Sequence, residues 1–141
     1  MQVSIAFHLI GMVMWVGGLM IITKLAKMAA AGQPAMFAPL RRTYFSFVIG
    51  GLTVSLVSGL YQIMSQGMAF YMKQGWFHGK LTCLIILFVV TAVLGAKLTA
   101  ATKGESVAPG TFGKLHALTG AMLLAIVILT SIVRMQAPAI I

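Results

Sequence analysis

The sequence predicts an all-α integral membrane protein folded as a four-helix up-down bundle. Three observations carry that prediction. The 141 residues are 60% hydrophobic and 8% charged, with a mean hydropathy of +1.04, whereas a soluble domain carries roughly 25% charged residues. Four apolar runs approach the ~20 residues that a spanning helix needs. The ten Lys and Arg residues sit mainly between or at the ends of those runs, the pattern of membrane topology signals. This length suits a single transmembrane domain over residues 1–141.

The first helix is predicted over 3–28, its apolar run from Val3 to Ile22 ended by Lys24 and Lys27. No positive charge precedes the run, and it exceeds the ~7–15-residue core of a signal peptide, so it is expected to be a retained helix. The second helix is predicted over 43–66. The stretch before it, 29–42, contains Pro34 and Pro39, which disfavour continued helix. The third is predicted over 76–101 and is followed along its last turn by Lys97; the fourth, over 112–135, is closed by Arg134 and Pro138. Short connections leave antiparallel neighbours packed up and down. Both termini then share one side. Lys24, Lys27, Arg41, Arg42, Lys97, Lys103 and Lys114 fall at the opposite side, against Lys73, Lys80 and Arg134 at the terminal side. Because cytoplasmic loops carry the excess of Lys and Arg, the termini are expected outside, in the periplasm if the membrane is a bacterial inner membrane.

A net charge of +9 alone would suggest nucleic acid, but nucleic-acid binders gather their charge on one face or helix, so no nucleic-acid partner is expected. Cys83 is the one cysteine, which leaves no internal disulfide and no cysteine metal site; with no CxxCH stretch, any heme would be non-covalent. The one acidic residue, Glu105, lies in a loop. Catalysis by paired carboxylates is therefore excluded from the spans, and any redox chemistry falls to a bound cofactor.

In so apolar a chain, intramembrane ionisable groups are the candidates for function. His8, Gly11, Trp15 and Gly18 share one face of the first helix at 3.6 residues per turn. An imidazole, two gaps and an indole form a wall for a flat macrocycle, and His is a usual axial ligand of heme iron. Met12, one turn from His8, is of a type that also ligates heme. Trp76 and Lys80 are four apart at the start of the third helix; Lys80 either snorkels to the headgroups or holds a carboxylate such as a porphyrin propionate. Arg134, at the same side, is a helix-end anchor or a second carboxylate site. His78 lies about 200° around the helix from that pair, which makes it a second-rank ligand. His116 is at the other side, on the order of 15–20 Å from His8 along the axis. Two ligands of one iron need nitrogens only about 4 Å apart, so His116 would serve a second heme. The plainer reading of each histidine is a hydrogen-bonded or interfacial side chain. Gly51, Ser55 and Gly59 in the second helix, and Gly113, Ala117, Ala121 and Ala125 in the fourth, form stripes of small residues at four-residue spacing that suit bundle packing or contact with partner subunits or a second copy. The eleven Met residues mostly fill gaps and lend a little weight to Cu(I) binding.

The segment Phe7-His8-Leu9-Ile10-Gly11-Met12-Val13-Met14-Trp15-Val16-Gly17-Gly18-Leu19 resembles the opening helix of the HemJ family, the membrane-bound protoporphyrinogen IX oxidases of many bacteria. Gly75-Trp76-Phe77-His78-Gly79-Lys80-Leu81-Thr82 is similar to that family's second signature, and Arg41-Arg42-Thr43-Tyr44 to its basic approach to the second helix. In the fourth helix Lys114-Leu115-His116-Ala117-Leu118-Thr119 stands where the family has an Asn-Glu-Pro-like stretch. The resemblance implies a four-helix protein holding heme b, which oxidises protoporphyrinogen IX to protoporphyrin IX and passes electrons to quinone. It implies His8 as heme ligand or substrate-site histidine, Trp15 and Trp76 as pocket walls, and Lys80 on a propionate. The His/Trp/Gly-Gly opening is also similar to CopD-like copper-handling membrane proteins. A cytochrome b-type electron-transfer subunit of a larger complex and a cofactor-free structural subunit are the remaining readings.

Overall fold

In a bilayer core no water is present to satisfy the backbone, so each segment must bond within itself, and helices result. The computed structural model describes the backbone of residues 2–136 and the side chains of residues 3–131. Among the described residues the secondary structure is helical throughout, and four helices are long and apolar enough to cross a membrane: Val3–Ala30, Pro34–Gln66, Gly75–Thr102 and, through its described part, Pro109–Ser131. The 28 residues of the first span reach about 42 Å at 1.5 Å per residue, enough to cross a ~30 Å hydrocarbon core and enter both headgroup layers. Val3, Phe7, Ile10, Val13, Ile21, Val57, Ile85, Val89 and Leu124 are exposed on the outside of the bundle, as lipid-facing residues should be. The chain is an integral membrane protein.

The second span starts earlier than its sequence predicts. A 3-10 turn, Pro34–Met36, leads directly into α-helix Phe37–Thr43, and the helix then continues to Gln66. Both prolines fall where a helix tolerates them, at the opening of the 3-10 turn and in the first turn of the α-helix, where the N–H groups have no partner within the helix. Pro109 likewise opens the fourth span a turn before the predicted start. At the other end of the second span, Gly67 has φ +91°, a conformation that glycine alone adopts without cost. It turns the chain into the short helix Met68–Met72.

The helices change partners along the bundle. At the end carrying the first and third connections, Gly18–Ala30 packs on the fourth span and Phe37–Thr43 on the third. Toward the terminal end, Gln2–Met12 packs on Ile49–Gln66, while the third span stays on the fourth. There Ile49–Gln66 barely approaches the third span, and Gln2–Met12 barely approaches the fourth. The terminal half is thus two helix pairs with a slot between them.

Small residues make the first pair close. A Cβ on Gly11 would lie 2.5 Å from the Ser55 backbone nitrogen, and one on Gly51 would lie 2.6 Å from that of Trp15. With no hydrophobic drive between helices in lipid, such close packing and interhelical hydrogen bonds hold the pair. Ser4 Oγ donates to the Ser58 carbonyl at 3.2 Å, and Gln62 Nε2 donates to the Ser4 carbonyl at 3.1 Å.

Two π-helical turns, Val13–Gly17 and Tyr44–Val48, interrupt the first and second spans at the level where the pairs converge. Each carries an aromatic side chain into one buried knot. Trp15 Nε1 donates to Thr91 Oγ1 at 2.9 Å, Thr91 Oγ1 donates to the Leu87 carbonyl at 2.7 Å, and the Tyr44 hydroxyl donates to the Thr91 carbonyl at 2.6 Å. Gly95 leaves room for the Tyr44 ring, since a Cβ there would lie 2.8 Å from its oxygen. Around the knot pack Leu19, Ile22, Val48, Leu87, Leu94 and Leu98.

Candidate functional site: an intramembrane slot

A cavity lies on each flank of the slot. Between the second and third spans is a cavity of about 260 Å³ lined by His8, Trp15, Tyr71, Trp76, Lys80 and Phe88, with Ser55, Gly59 and Gln62 among its other walls. Between the first and fourth spans is a cavity of about 540 Å³ lined by His8, Met12, Val16, Lys80, Ile126 and Thr130, among others. His8 and Lys80 are the residues common to the two. They stand on opposite walls, His8 on the first pair and Lys80 on the second.

The surroundings of His8 fix its tautomer. Its Nδ1 lies 2.9 Å from the Ser55 carbonyl oxygen, and a carbonyl can only accept. Nδ1 therefore carries the proton, with the Ser55 hydroxyl a longer 3.4 Å away. Nε2 keeps its lone pair, the arrangement that metal-ligating histidines show when the second nitrogen is tied to a backbone carbonyl. Gly59 makes room for this ring: a Cβ there would lie 3.0 Å from His8 Cε1 and 3.1 Å from Nδ1.

The other walls are flat and apolar. Trp15 is buried and tilted against Phe88, their centroids 5.2 Å apart. At the rim the helix Met68–Met72 bridges the second and third spans. From it Tyr71 packs on Phe77 and Trp76, with centroids at 5.2 and 6.2 Å, and donates its hydroxyl to Gln66 Oε1. Partial burial pushes the Tyr71 phenol above its ordinary value of 10.0.

The structure thus brings together His8, Trp15, Trp76 and Lys80, with Met12 beside His8 and Lys80 on the wall of the second cavity, and it parts them from Gly11, Gly18, His78 and His116. Gly11 and Gly18 do not form gaps in a cofactor wall. Gly11 meets the backbone of the second span, and a Cβ on Gly18 would lie 2.8 Å from a Val48 methyl; the second helix already fills the space that a macrocycle was expected to take. His78 is exposed on the outside of the third span, and its Nε2 lies 3.0 Å from the Met72 carbonyl. It ties down the short rim helix and is removed from the slot, as its angle on the helix requires. Arg134 lies outside the residues whose side chains are described. The fourth-helix stripe is not a bundle seam over its whole length: Ala117 and Ala121 are exposed, and the buried face runs through Phe112, Thr119 and Ile126.

His116 lines a separate cleft at the opposite end of the bundle, with Lys24, Lys27 and Gly113. Thr23 Oγ1 gives its hydrogen to the Leu19 carbonyl at 2.7 Å. His116 Nδ1, 3.0 Å from Thr23 Oγ1 and 3.1 Å from the Met20 carbonyl, is therefore the donor to both.

Ser55, Gly59, Tyr71, Phe88 and Thr91 were not singled out as site residues by the sequence. Ser55 and Gly59 were visible only as members of a packing stripe, and nothing in the sequence pairs Thr91 with Trp15. No protein-family model, curated protein or solved structure matches this chain.

Proposed function

We propose that the slot holds heme b and that the protein is a HemJ-like membrane oxidoreductase, oxidising protoporphyrinogen IX to protoporphyrin IX with quinone as electron acceptor. One observation carries this reading: His8, whose Nε2 is left out of the Ser55 bond, and Lys80, from the opposite helix pair, line the same two cavities, a setting that suits a flat, carboxylate-bearing macrocycle. The donor set fits. His8 offers one neutral imidazole nitrogen, Lys80 offers an ammonium for a propionate, and Trp15, Phe88 and Trp76 offer apolar faces. Heme, when bound, supplies the one-electron couple. The chain's own residues hold it, orient it through the Ser55–His8 bond and exclude water with the aromatic rim. The motif likeness around His8 and around Trp76–Lys80 supports the same reading. In the bacterial inner membrane the positive-charge excess at the connection end would set both termini in the periplasm, which thiol-labelling of single cysteines near either end of the bundle checks.

The test is the reduced-minus-oxidised visible spectrum of the protein purified in detergent. Soret and α-band signals lost in His8→Ala, together with complementation of a strain lacking protoporphyrinogen oxidase, are the expected result. Bound heme without complementation would leave a cytochrome b-type electron carrier. Folded protein from a heme-replete membrane with no heme signal would refute both readings and direct attention to a copper-handling or structural role.

A further inference from the structure

At the connection end, the first and fourth spans enclose a cleft of about 360 Å³ lined by Lys24, Lys27, Met28, Ala31, Gly113 and His116. We propose that this cleft binds the phosphate of an anionic membrane lipid.

The cleft is built for an anion in three respects. First, its ionisable lining is basic: two lysines and a histidine, with no carboxylate among them. Lys24 and Lys27 are three apart on one helix face, where like charges repel unless something neutralises them. The chain's one acidic residue, Glu105, lies against the second and third spans instead. Second, Lys27 lies along the fourth span at Gly113. Its Cδ, Cε and Nζ stand 3.7–3.8 Å from where a Gly113 Cβ would be, an ordinary contact distance, so the lysine runs over a shallow groove that a side chain larger than a methyl would fill. Third, His116 is anchored through Nδ1 to Thr23 and Met20, which leaves Nε2 as the nitrogen those bonds do not engage.

Its place argues for a lipid over a free phosphate. The lysines end a helix whose exposed flank is apolar. Met28 and Ala31 give the cleft an apolar side, which suits the glycerol and first acyl carbons of a lipid as well as its phosphate. Basic pockets between membrane helices are suited to such headgroups.

Delipidated protein in neutral detergent would be titrated with phosphatidylglycerol, with phosphatidylcholine and with inorganic phosphate, reading thermal stability and the lipids retained in native mass spectrometry. Phosphatidylglycerol is expected to be retained and to raise the unfolding temperature, and phosphatidylcholine is expected to do neither. The pair Lys24→Gln/Lys27→Gln is expected to weaken phosphatidylglycerol binding about thirtyfold, taking each lysine near a lipid surface at its usual strength. The charge-matched pair Arg42→Gln/Lys73→Gln should leave it within about threefold. Gly113→Leu, which fills the groove and displaces Lys27 without changing charge, should also weaken it. Equal binding by the two charge-matched pairs would overturn the proposal, as would equal binding of the two lipids. Protection by inorganic phosphate with none from lipid would overturn the lipid assignment. Heme recovered with the protein and lost in His116→Gln would give the cleft to a second heme and overturn it too.

Discussion

Gly50 and Gly51 are adjacent in sequence, yet the structure assigns them opposite responses to the same substitution. A Cβ on Gly50 meets nothing within 4 Å. Gly50→Ala removes a helix-weakening residue and is expected to stabilise the protein by up to about 0.5–1 kcal/mol. A Cβ on Gly51 would lie 2.6 Å from Met14 Cβ, 2.6 Å from the Trp15 nitrogen and 2.9 Å from the Gly11 oxygen. Two of those atoms are backbone and the third is fixed to it, so no rotamer change relieves the clash. Ordinary contact begins at 3.4 Å, and the first two spans would have to separate by roughly 0.8 Å. Overpacking of that kind costs about 1–3 kcal/mol, and the separation also stretches the Ser55–His8 bond. Unfolding of the two variants in mixed micelles of denaturing and mild detergent, read by tryptophan fluorescence, makes the comparison. Gly51→Ala should unfold at lower denaturing-detergent fraction than the parent, and Gly50→Ala at the same fraction or higher. If both shift alike, the first two helices do not approach as described, and the slot they border is wrong with them.

The remaining expectations are shorter. Gly59→Ala places a methyl 3.0 Å from the His8 ring and should weaken heme retention several-fold while costing no more than about 1–2 kcal/mol of stability; heme content against unfolding midpoint separates the two, and unchanged heme content would contradict the site. Thr91→Val leaves the buried Trp15 N–H without its acceptor and should cost about 1–3 kcal/mol, with a shifted tryptophan emission; a loss under 0.3 kcal/mol would contradict the knot. The Tyr71 phenol, raised by burial, stays neutral in the folded protein at a pH where an unfolded one ionises. Its contribution to stability is complete below pH 10 and is lost as pH rises through the folded value. Ultraviolet titration of the parent minus Tyr71→Phe should show one phenol ionising above 10, and ionisation at or below 10 would place the ring in water.

Much of this architecture is legible from hydropathy alone, because a helix in lipid is specified by the length and polarity of its run and little else. What the sequence hides is phase. A 3.6-residue period puts His8, Gly11, Trp15 and Gly18 on one face, but that face meets two neighbours. Gly11 and Gly18 go to the second span, and Trp15, within a π turn, reaches Thr91 of the third. The helix starts were hidden for a related reason: Pro34, Pro39 and Pro109 break a helix interior but fit a first turn, and composition does not say which position they hold. His8 and Lys80 stood out because charge-bearing groups are rare in these spans. Ser55, which fixes the His8 tautomer with a backbone oxygen, leaves no mark in a sequence, since every residue has that atom.

The least comfortable group in the fold is Lys80. It is half-buried beside the slot, and the spans hold no acidic side chain to pair with it. An ammonium at that depth costs free energy, less than the roughly 2.5–3.5 kcal/mol of a helix centre because it lies near the start of its span. A protein with a merely structural bundle gains by losing it. Lys80→Met keeps the length and apolar stem, so the ligand-free protein should become more stable by about 1 kcal/mol. If the slot takes a carboxylate-bearing porphyrin, the same substitution should weaken that ligand, because a charge-assisted hydrogen bond of about 1.5–3 kcal/mol is lost. The two readouts therefore move in opposite directions, a sign pattern that loss of packing cannot produce. Apoprotein stability is read by detergent unfolding and porphyrin affinity by absorbance titration of that apoprotein with heme. A Lys80→Met protein that binds heme as tightly as the parent would leave the lysine a headgroup anchor and remove the carboxylate side of the argument. One that loses stability and affinity together would show that the ammonium already has a partner within the fold.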